Sequence, residues 1–212
     1  RVNYSYKDRY LFEANGRYDG SSRFPKKDRF GFFPSFSAAW RLSEEAFMEH
    51  MKGLFYNIKL RVSWGNIGNQ AVGSYYPYLS TIDINRPKWI LPGSSMWVTS
   101  LTAPGLVSSS FTWEKVSTLN FGLDFNLWGK LDFVGNYYIR DTKDMLAMST
   151  PLPSVLGVSA PNTNSASLRT QGWDITLEWK DKINKDFNYY VGLNLYDSKS
   201  KITKYRDRKS VV

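Results

Sequence analysis

The 212-residue chain contains no cysteine and a single histidine, His50. The first absence excludes disulfide frameworks, thiolate metal sites, iron–sulfur clusters and cysteine nucleophiles. The second excludes His-rich metal sites, and a Ser-His-Asp triad would have to use that one imidazole. His50 sits in Glu44-Glu45-Ala46-Phe47-Met48-Glu49-His50-Met51, a charged turn in which a solvated or capping role is expected. Long apolar helices are lacking too. Two uncharged stretches, Trp89 to Trp113 and Met145 to Leu168, have the length of a membrane-spanning helix, about 20 residues. Pro92-Gly93, Pro104-Gly105, Pro151, Pro153, Gly157 and Pro161 interrupt them, so both read as long loops.

The carboxylates of the alternating segments, Asp124, Asp132, Asp174 and Glu178, stand singly, without the close pair in sequence that would suggest glycoside hydrolysis, and read as lumen-wall residues. Gly65-Asn66-Ile67-Gly68-Asn69 lacks the Lys-Ser/Thr and helix of a phosphate loop, and reads as the start of an ordinary loop. No catalytic residue, metal site or cofactor is expected, and the chain does not read as an enzyme. It opens at Arg1 with no basic-then-apolar leader, so it reads as a piece of a longer chain.

What is abundant is rings and cations. Aromatic residues make up 17% (8 Trp, 14 Tyr, 13 Phe) and hydrophobic residues 42%, too many for a disordered chain. The 28 basic and 19 acidic side chains leave a formal charge of +9. Basic grooves with stacking rings bind single-stranded nucleic acid, but Arg17, Lys59, Arg61 and Arg140 alternate with the rings instead of joining them, so no nucleic-acid partner is expected.

The dominant pattern is period-two alternation in segments of about ten residues. Tyr10, Phe12, Ala14, Gly16 and Tyr18 alternate with Glu13, Asn15, Arg17 and Asp19. Phe30, Phe32, Pro34, Phe36, Ala38 and Trp40 oppose Ser35, Ser37 and Arg41. Ile58, Leu60, Val62 and Trp64 oppose Lys59, Arg61 and Ser63, and Leu119, Phe121, Leu123, Phe125 and Leu127 oppose Asn120, Asp124 and Asn126. After a tight turn at Trp128-Gly129-Lys130 the pattern resumes over Leu131 to Arg140, then over Trp173 to Lys180 and Phe187 to Tyr196. With Val2 to Lys7 these predict about eight strands, all-β and antiparallel, running up and down. Connections at Lys7 to Arg9, Trp128 to Lys130 and Asp181 to Asp186 are short. Those at Gly20 to Arg29, Gly65 to Thr112, Leu146 to Ser165 and the tail from Lys201 are longer or irregular, and alternate with the short ones. Leu42 to Tyr56 belongs to the short side and reads as a short helix with Ser43 as N-cap.

Such strands suit a soluble sandwich, whose apolar face is a core, or a membrane barrel, whose apolar face meets lipid between aromatic girdles. Strand length, rings near strand ends and the asymmetry of connections favour the barrel. Specific strings point further. Asp19-Gly20-Ser21-Ser22-Arg23-Phe24, Phe33-Pro34-Ser35-Phe36-Ser37-Ala38-Ala39-Trp40-Arg41-Leu42-Ser43-Glu44-Glu45-Ala46-Phe47 and Leu60-Arg61-Val62-Ser63-Trp64-Gly65-Asn66-Ile67-Gly68-Asn69-Gln70 come first. Thr112-Trp113-Glu114-Lys115, Asn120-Phe121-Gly122-Leu123-Asp124, Asp141-Thr142-Lys143-Asp144-Met145-Leu146 and Gln171-Gly172-Trp173-Asp174 follow. In order and spacing they resemble the barrel of SusC/RagA-type TonB-dependent outer-membrane transporters.

The resemblance implies that residues 1–212 are about eight strands of a large transmembrane β-barrel, with no plug domain and no signal peptide in this chain. It implies a nutrient importer in the outer membrane of a Gram-negative, Bacteroidetes-like cell. Its cargo would be oligosaccharides or peptides, with a SusD-like surface lipoprotein and a TonB complex as partners. Two other readings fit the strands: a self-contained small outer-membrane barrel with a structural or adhesion role, and a soluble carbohydrate-binding β-sandwich. In the barrel, Arg23, Lys26, Lys27, Arg29 and the tail cations Lys201, Lys204, Arg206, Arg208 and Lys209 are expected to face outer-membrane lipid and lipopolysaccharide. The loop aromatics Tyr75, Tyr76, Tyr78, Trp89 and Trp97 are the candidate ligand contacts, because rings stack on sugar faces and wedge peptides. Packing of the loop onto its neighbours is the alternative role for them.

Overall fold

A strand whose side chains alternate between apolar and polar can bury its backbone only by pairing on both edges, and the chain does this repeatedly. The computed structural model describes residues 1–51, 53–70, 75–86, 99–108, 111–149, 151–205 and 208–209. Its strands are β1 (Val2–Tyr6), β2 (Tyr10–Gly20), β3 (Phe30–Arg41), β4 (Phe55–Asn69), β5 (Asp83–Asn85), β6 (Ser100–Thr102), β7 (Glu114–Leu127), β8 (Leu131–Met148), β9 (Asn162–Lys182), β10 (Asn188–Tyr205) and β11 (Arg208–Lys209). One antiparallel sheet runs in the order β1-β2-β3-β4-β7-β8-β9-β10-β11, and β5 and β6 pair separately within the longest connection. Eight strands, from β1 to β10 without the β5–β6 pair, form the expected up-and-down wall.

Register keeps each apolar face continuous. Tyr10 faces Trp40, Trp40 faces Leu60, Leu60 faces Leu123, and Leu123 faces Gly135. Farther along, Phe133 faces Leu177 and Leu177 faces Leu193. No second sheet covers this surface among the described residues: Phe32 is 64% exposed, Phe36 53% and Leu193 50%. The sandwich reading, in which these side chains are a core, does not match the structure. Nor do β1 and β10 pair with each other, as a self-contained eight-stranded barrel would require; the sheet is open at both edges.

Along β3, Phe30 and Trp40 bracket the band. Ten residues at ~3.4 Å span ~34 Å, which at a tilt of ~40° is ~26 Å of height, close to the ~25 Å apolar belt of membrane barrels. No helix among the described residues is long and apolar enough to cross a membrane, which leaves crossing by strands untouched.

At one end the turns are tight. Lys7 and Asp8 (φ 50° and 52°) and Trp128 and Gly129 (φ 53° and 67°) each form the pair of left-handed residues of a type I′ hairpin turn. The Arg9 amide donates to the Tyr6 carbonyl at 3.0 Å, and Lys130 to Leu127 at 2.9 Å.

Two expectations are corrected. The segment after β3 is not a Ser43-capped α-helix but two 3-10 turns, Leu42–Glu44 and Ala46–Met51. Ser43 is buried with no hydrogen-bond partner for its hydroxyl, and Glu45 between the turns is extended, with φ −81° and ψ 147°. The reason is the Glu45 side chain, which is drawn back to the sheet. Its carboxylate accepts from Tyr10 Oη (2.8 Å), Trp40 Nε1 (3.0 Å) and Arg9 (3.3 Å). Trp40 and Tyr10 stack with centroids 6.3 Å apart, so two interfacial rings share one loop carboxylate.

Strands also run beyond the alternating segments. Gly65 to Asn69 belongs to β4, β8 continues to Met148, β9 starts at Asn162 and β10 reaches Tyr205, where loops or a tail were expected. Above the lipid belt both faces are wet, so the hydrogen-bond ladder persists while the apolar alternation that lipid imposes is no longer required.

Two predictions follow from this geometry. In full-length protein refolded into lipid vesicles, Leu123→Arg at mid-belt should lower urea stability by about 2–4 kcal/mol. Ser37→Arg, on the opposite face, should change it by less than about 1 kcal/mol. The Trp40, Tyr10 and Arg9 donors hold the Glu45 carboxyl below its ordinary value near 4.5. A lowered folded value stabilises above the ordinary value and loses that contribution as pH falls through the lowered one. The gap in thermal midpoint between wild type and Glu45→Gln should therefore be constant near neutral pH and close as the sample is acidified below about pH 4.5.

Candidate functional site: the wet face and the long-loop rim

The face opposite the apolar belt carries charges that meet across strands. Arg61 on β4 grips Asp124 on β7 through two hydrogen bonds, 2.8 and 2.6 Å, and also donates to Asn136 Oδ1 on β8 at 3.1 Å. Asn136 donates onward to Asp174 on β9 at 2.7 Å. Nearer the tight turns Asn126 donates to Asp132 at 2.6 Å, Lys180 pairs with Asp132 at 3.1 Å, and Tyr190 reaches Glu178 at 3.3 Å. The singly spaced carboxylates of the sequence are thus partners in cross-strand rungs.

Two glycines make room for these rungs. A Cβ at Gly122 would lie 2.8 Å from the Arg61 guanidinium carbon, so Arg61 crosses flat over Gly122 to reach Asp124. A Cβ at Gly172 would lie 2.6 Å from Tyr138 Oη, which occupies that space instead. Farther along, Glu13, Arg17, Asp19, Ser35, Ser37 and Ser63 line a hollow of about 380 Å³. Its carboxylates, guanidinium and hydroxyls offer donors and acceptors to a solute rich in hydroxyls or amides.

The rim holds the buried apolar cluster among the described residues. β3 and β4 pair only as far as Ser35 and Gly65, so the seam opens above that point. Phe33 fills the opening, in contact with Trp113 at a centroid distance of 5.5 Å. Phe24 from the β2–β3 connection packs at a tilt against Trp113 (4.7 Å) and Phe111 (5.8 Å) and is 0% exposed. Burying it stabilises the loop by about 2–3 kcal/mol. Asn164 on β9 clamps the strand entering β7: it donates to the carbonyls of Thr112 (3.0 Å) and Asp144 (2.6 Å) and accepts from the Thr112 amide (3.1 Å). Asp144, at φ 57°, lies where the β8–β9 register shifts, so the clamp fixes a bulge that bends this arm.

The ring residues singled out in the sequence divide. Tyr75 is 74% exposed and packs its ring under the Arg23 guanidinium at 5.3 Å, and Arg23 also donates to the Gln70 carbonyl at 3.1 Å. Tyr76 is 54% exposed. Tyr78 is half-buried, with its hydroxyl 3.5 Å from the Ser22 carbonyl. Trp89 and Trp97 lie outside the described residues. The structure therefore ties Tyr75 and Tyr78 to the β2–β3 connection and leaves Tyr76 open. Among the described residues no group of three or more metal-ligating side chains comes together. His50 is exposed on its 3-10 turn.

Sequence reasoning missed Glu45, Asn164 and the Phe24–Phe33–Phe111–Trp113 cluster as structural centres. Trp40-x4-Glu45 was readable as an interfacial ring near a loop carboxylate; nothing local marks Asn164.

An open antiparallel wall with a bare apolar face between rings, a charged opposite face, tight turns at one end and long loops at the other is part of a transmembrane β-barrel of the outer-membrane kind. Residues 1–210 match the family described as TonB dependent receptor-like, beta-barrel, and the chain belongs to that family. It is 36% identical over 207 residues to the TonB-dependent receptor SusC of Bacteroides thetaiotaomicron, covering 96% of this chain and 20% of that protein. It is 33% identical over 208 residues to TonB-dependent receptor P26 of Formosa agariphila, covering 95% and 20%. Among solved structures, the RagAB peptide importer in its closed-closed state superposes with a TM-score of 0.83 at 26% identity, covering 96% of this chain and 22% of that one. The open-open state gives 0.80. The chain spans about a fifth of the length of the curated relatives it matches.

The bidentate pair should show energetic coupling. In the full-length barrel, a double-mutant cycle of Arg61→Met and Asp124→Asn should give a coupling of about 1 kcal/mol, reduced from that of a buried pair because both side chains are partly wet. Urea midpoints of the four proteins measure it.

Proposed function

We propose that residues 1–212 are one stretch of the barrel domain of an outer-membrane, TonB-dependent nutrient importer of the SusC/RagA type. The observation that carries this is the pairing of a lipid-ready outer face with a wet, hydrogen-bonding inner face, in a chain 36% identical to SusC. The importer lies in the outer membrane of a Gram-negative, Bacteroidetes-like cell, with the tight turns toward the periplasm and the long loops outside. Its cargo is an oligosaccharide or a peptide, capped at the long-loop end by a SusD-like surface lipoprotein. A TonB complex supplies energy, acting on parts of the protein other than these strands. The outer surface meets lipid and lipopolysaccharide.

The loop aromatics Tyr75, Tyr76, Tyr78, Trp89 and Trp97 are the candidates for cargo contact, with packing of the loop as the alternative role. Exposure of Tyr76 favours contact for that ring, whereas the ties of Tyr75 to Arg23 and of Tyr78 to Ser22 favour the packing role for those two. In the full transporter, Tyr76→Ala, Trp89→Ala and Trp97→Ala should each weaken cargo binding by about tenfold, the loss of ~1.4 kcal/mol of ring contact. Surface expression should be unchanged. Cargo titration by calorimetry checks it, and undiminished affinity in all three variants would remove the loop from the binding site.

A further inference from the structure

Where the β3–β4 seam opens, a cleft of about 530 Å³ lies on the same face as the apolar belt. Phe30, Phe32 and Trp64 form its apolar side, and Lys27, Lys115 and Lys143 its polar side. Lys115 and Lys143 stand directly opposite each other across β7 and β8. Like charges in that position are destabilising unless an anion joins them. Both are exposed, and neither makes an ion pair with a described carboxylate within 4.0 Å. Asp141, two residues from Lys143 on the same face of β8, attracts it through space but spends its hydrogen bonds on Arg169, in a bidentate pair at 2.6 and 2.9 Å. Asp28 is the acid lining the cleft, and its contact with Lys27 is a loose 3.9 Å.

Height selects the occupant. The last outward apolar pair on these strands is Leu119 with Ile139, and Lys115 with Lys143 is four residues farther along. Four residues at ~3.3 Å and a ~40° tilt put the amines ~10 Å above the edge of the belt. Flexible lysine stems reach back from there into the headgroup layer, which extends ~5–8 Å beyond the hydrocarbon.

We propose that this cleft binds the phosphate-bearing headgroup of an outer-leaflet lipid, with Lys115, Lys143 and Lys27 on the phosphate and an acyl chain along Phe32 and Trp64. The proposal rests on the barrel reading above and assigns a lipid site to it.

The test uses the full-length transporter in nanodiscs of phosphatidylcholine alone or with one-tenth monophosphoryl lipid A. Thermal midpoints are compared for wild type, Lys115→Gln/Lys143→Gln and the charge-keeping Lys115→Arg/Lys143→Arg, with co-purified lipid counted by native mass spectrometry. The expected result is a rise in midpoint with lipid A in wild type and the arginine variant. The glutamine variant should lose that rise and retain at least about tenfold less lipid A, equivalent to 1.4 kcal/mol. Equal responses in all three proteins would overturn the site. A rise reproduced by inorganic phosphate over phosphatidylcholine would overturn the lipid as its source. Loss of lipid A discrimination on dimer formation, with the cleft crosslinked to a second copy, would overturn it in favour of a protein contact. Failure of wild type to insert into any nanodisc would instead strike the barrel reading.

Discussion

Every backbone amide and carbonyl that enters hydrocarbon must find its partner within the protein, since lipid offers none. That constraint orders the rest of the structure. It explains why each strand pairs with the next in the order β1-β2-β3-β4-β7-β8-β9-β10, and why the long 70–113 connection leaves the sheet only after β4 has passed the belt. It also explains why tight I′ turns, which lose no ladder bonds, join β1 to β2 and β7 to β8. Neither β1 nor most of β10 meets a further strand on its outer edge, and such an edge is stable in lipid only when it is paired.

The same constraint frees the wet face to carry charge. Once the ladder holds the backbone, side chains facing inward can be chosen for one another. Arg61, Asp124, Asn136 and Asp174 then tie four successive long strands, β4, β7, β8 and β9, with directional bonds. Water screens each of these pairs, so their value lies more in fixing neighbouring side chains than in raw stability. A wall with preset donors and acceptors presents a moving solute with a defined pattern rather than a set of mobile ions.

How much was legible follows from which solvent each stretch meets. Between the girdles, lipid demands alternation, and β2 and β3 were readable to the residue at both ends. Beyond the belt that demand ends. The outer halves of β8 and β9, with Thr142, Asn164 and Ser165, therefore lacked the pattern although their ladder continues. The Glu45 turn was misread because Ser43-Glu44-Glu45 has the composition of a helix start. What decided its shape was a distant pair of rings, Tyr10 and Trp40, that periodicity cannot associate with it. The rim cluster unites residues from 24 to 113, brought together by topology alone. Motif glycines were visible, but their reason, the flat passage of Arg61 over Gly122, needed the register.

The seam between β3 and β4 links these themes. Its pairing stops at Ser35 and Gly65 while both strands continue, so the ladder bonds between them are forgone from there toward the long-loop end. Such a gap would be costly if left open, and the chain closes it with Phe33, backed by Trp113, Phe24 and Phe111, rather than with backbone. Ring packing thereby replaces hydrogen bonds as the cohesive force at one place in the wall. The consequence is local: the residues that seal the wall are the ones that anchor the β2–β3 connection and the entry to β7. Two of them, Phe33 and Trp113, also line the cleft on the lipid side. Loop position, wall closure and lipid contact at this point are set by one aromatic cluster, so a change in any of them acts on the other two through Trp113.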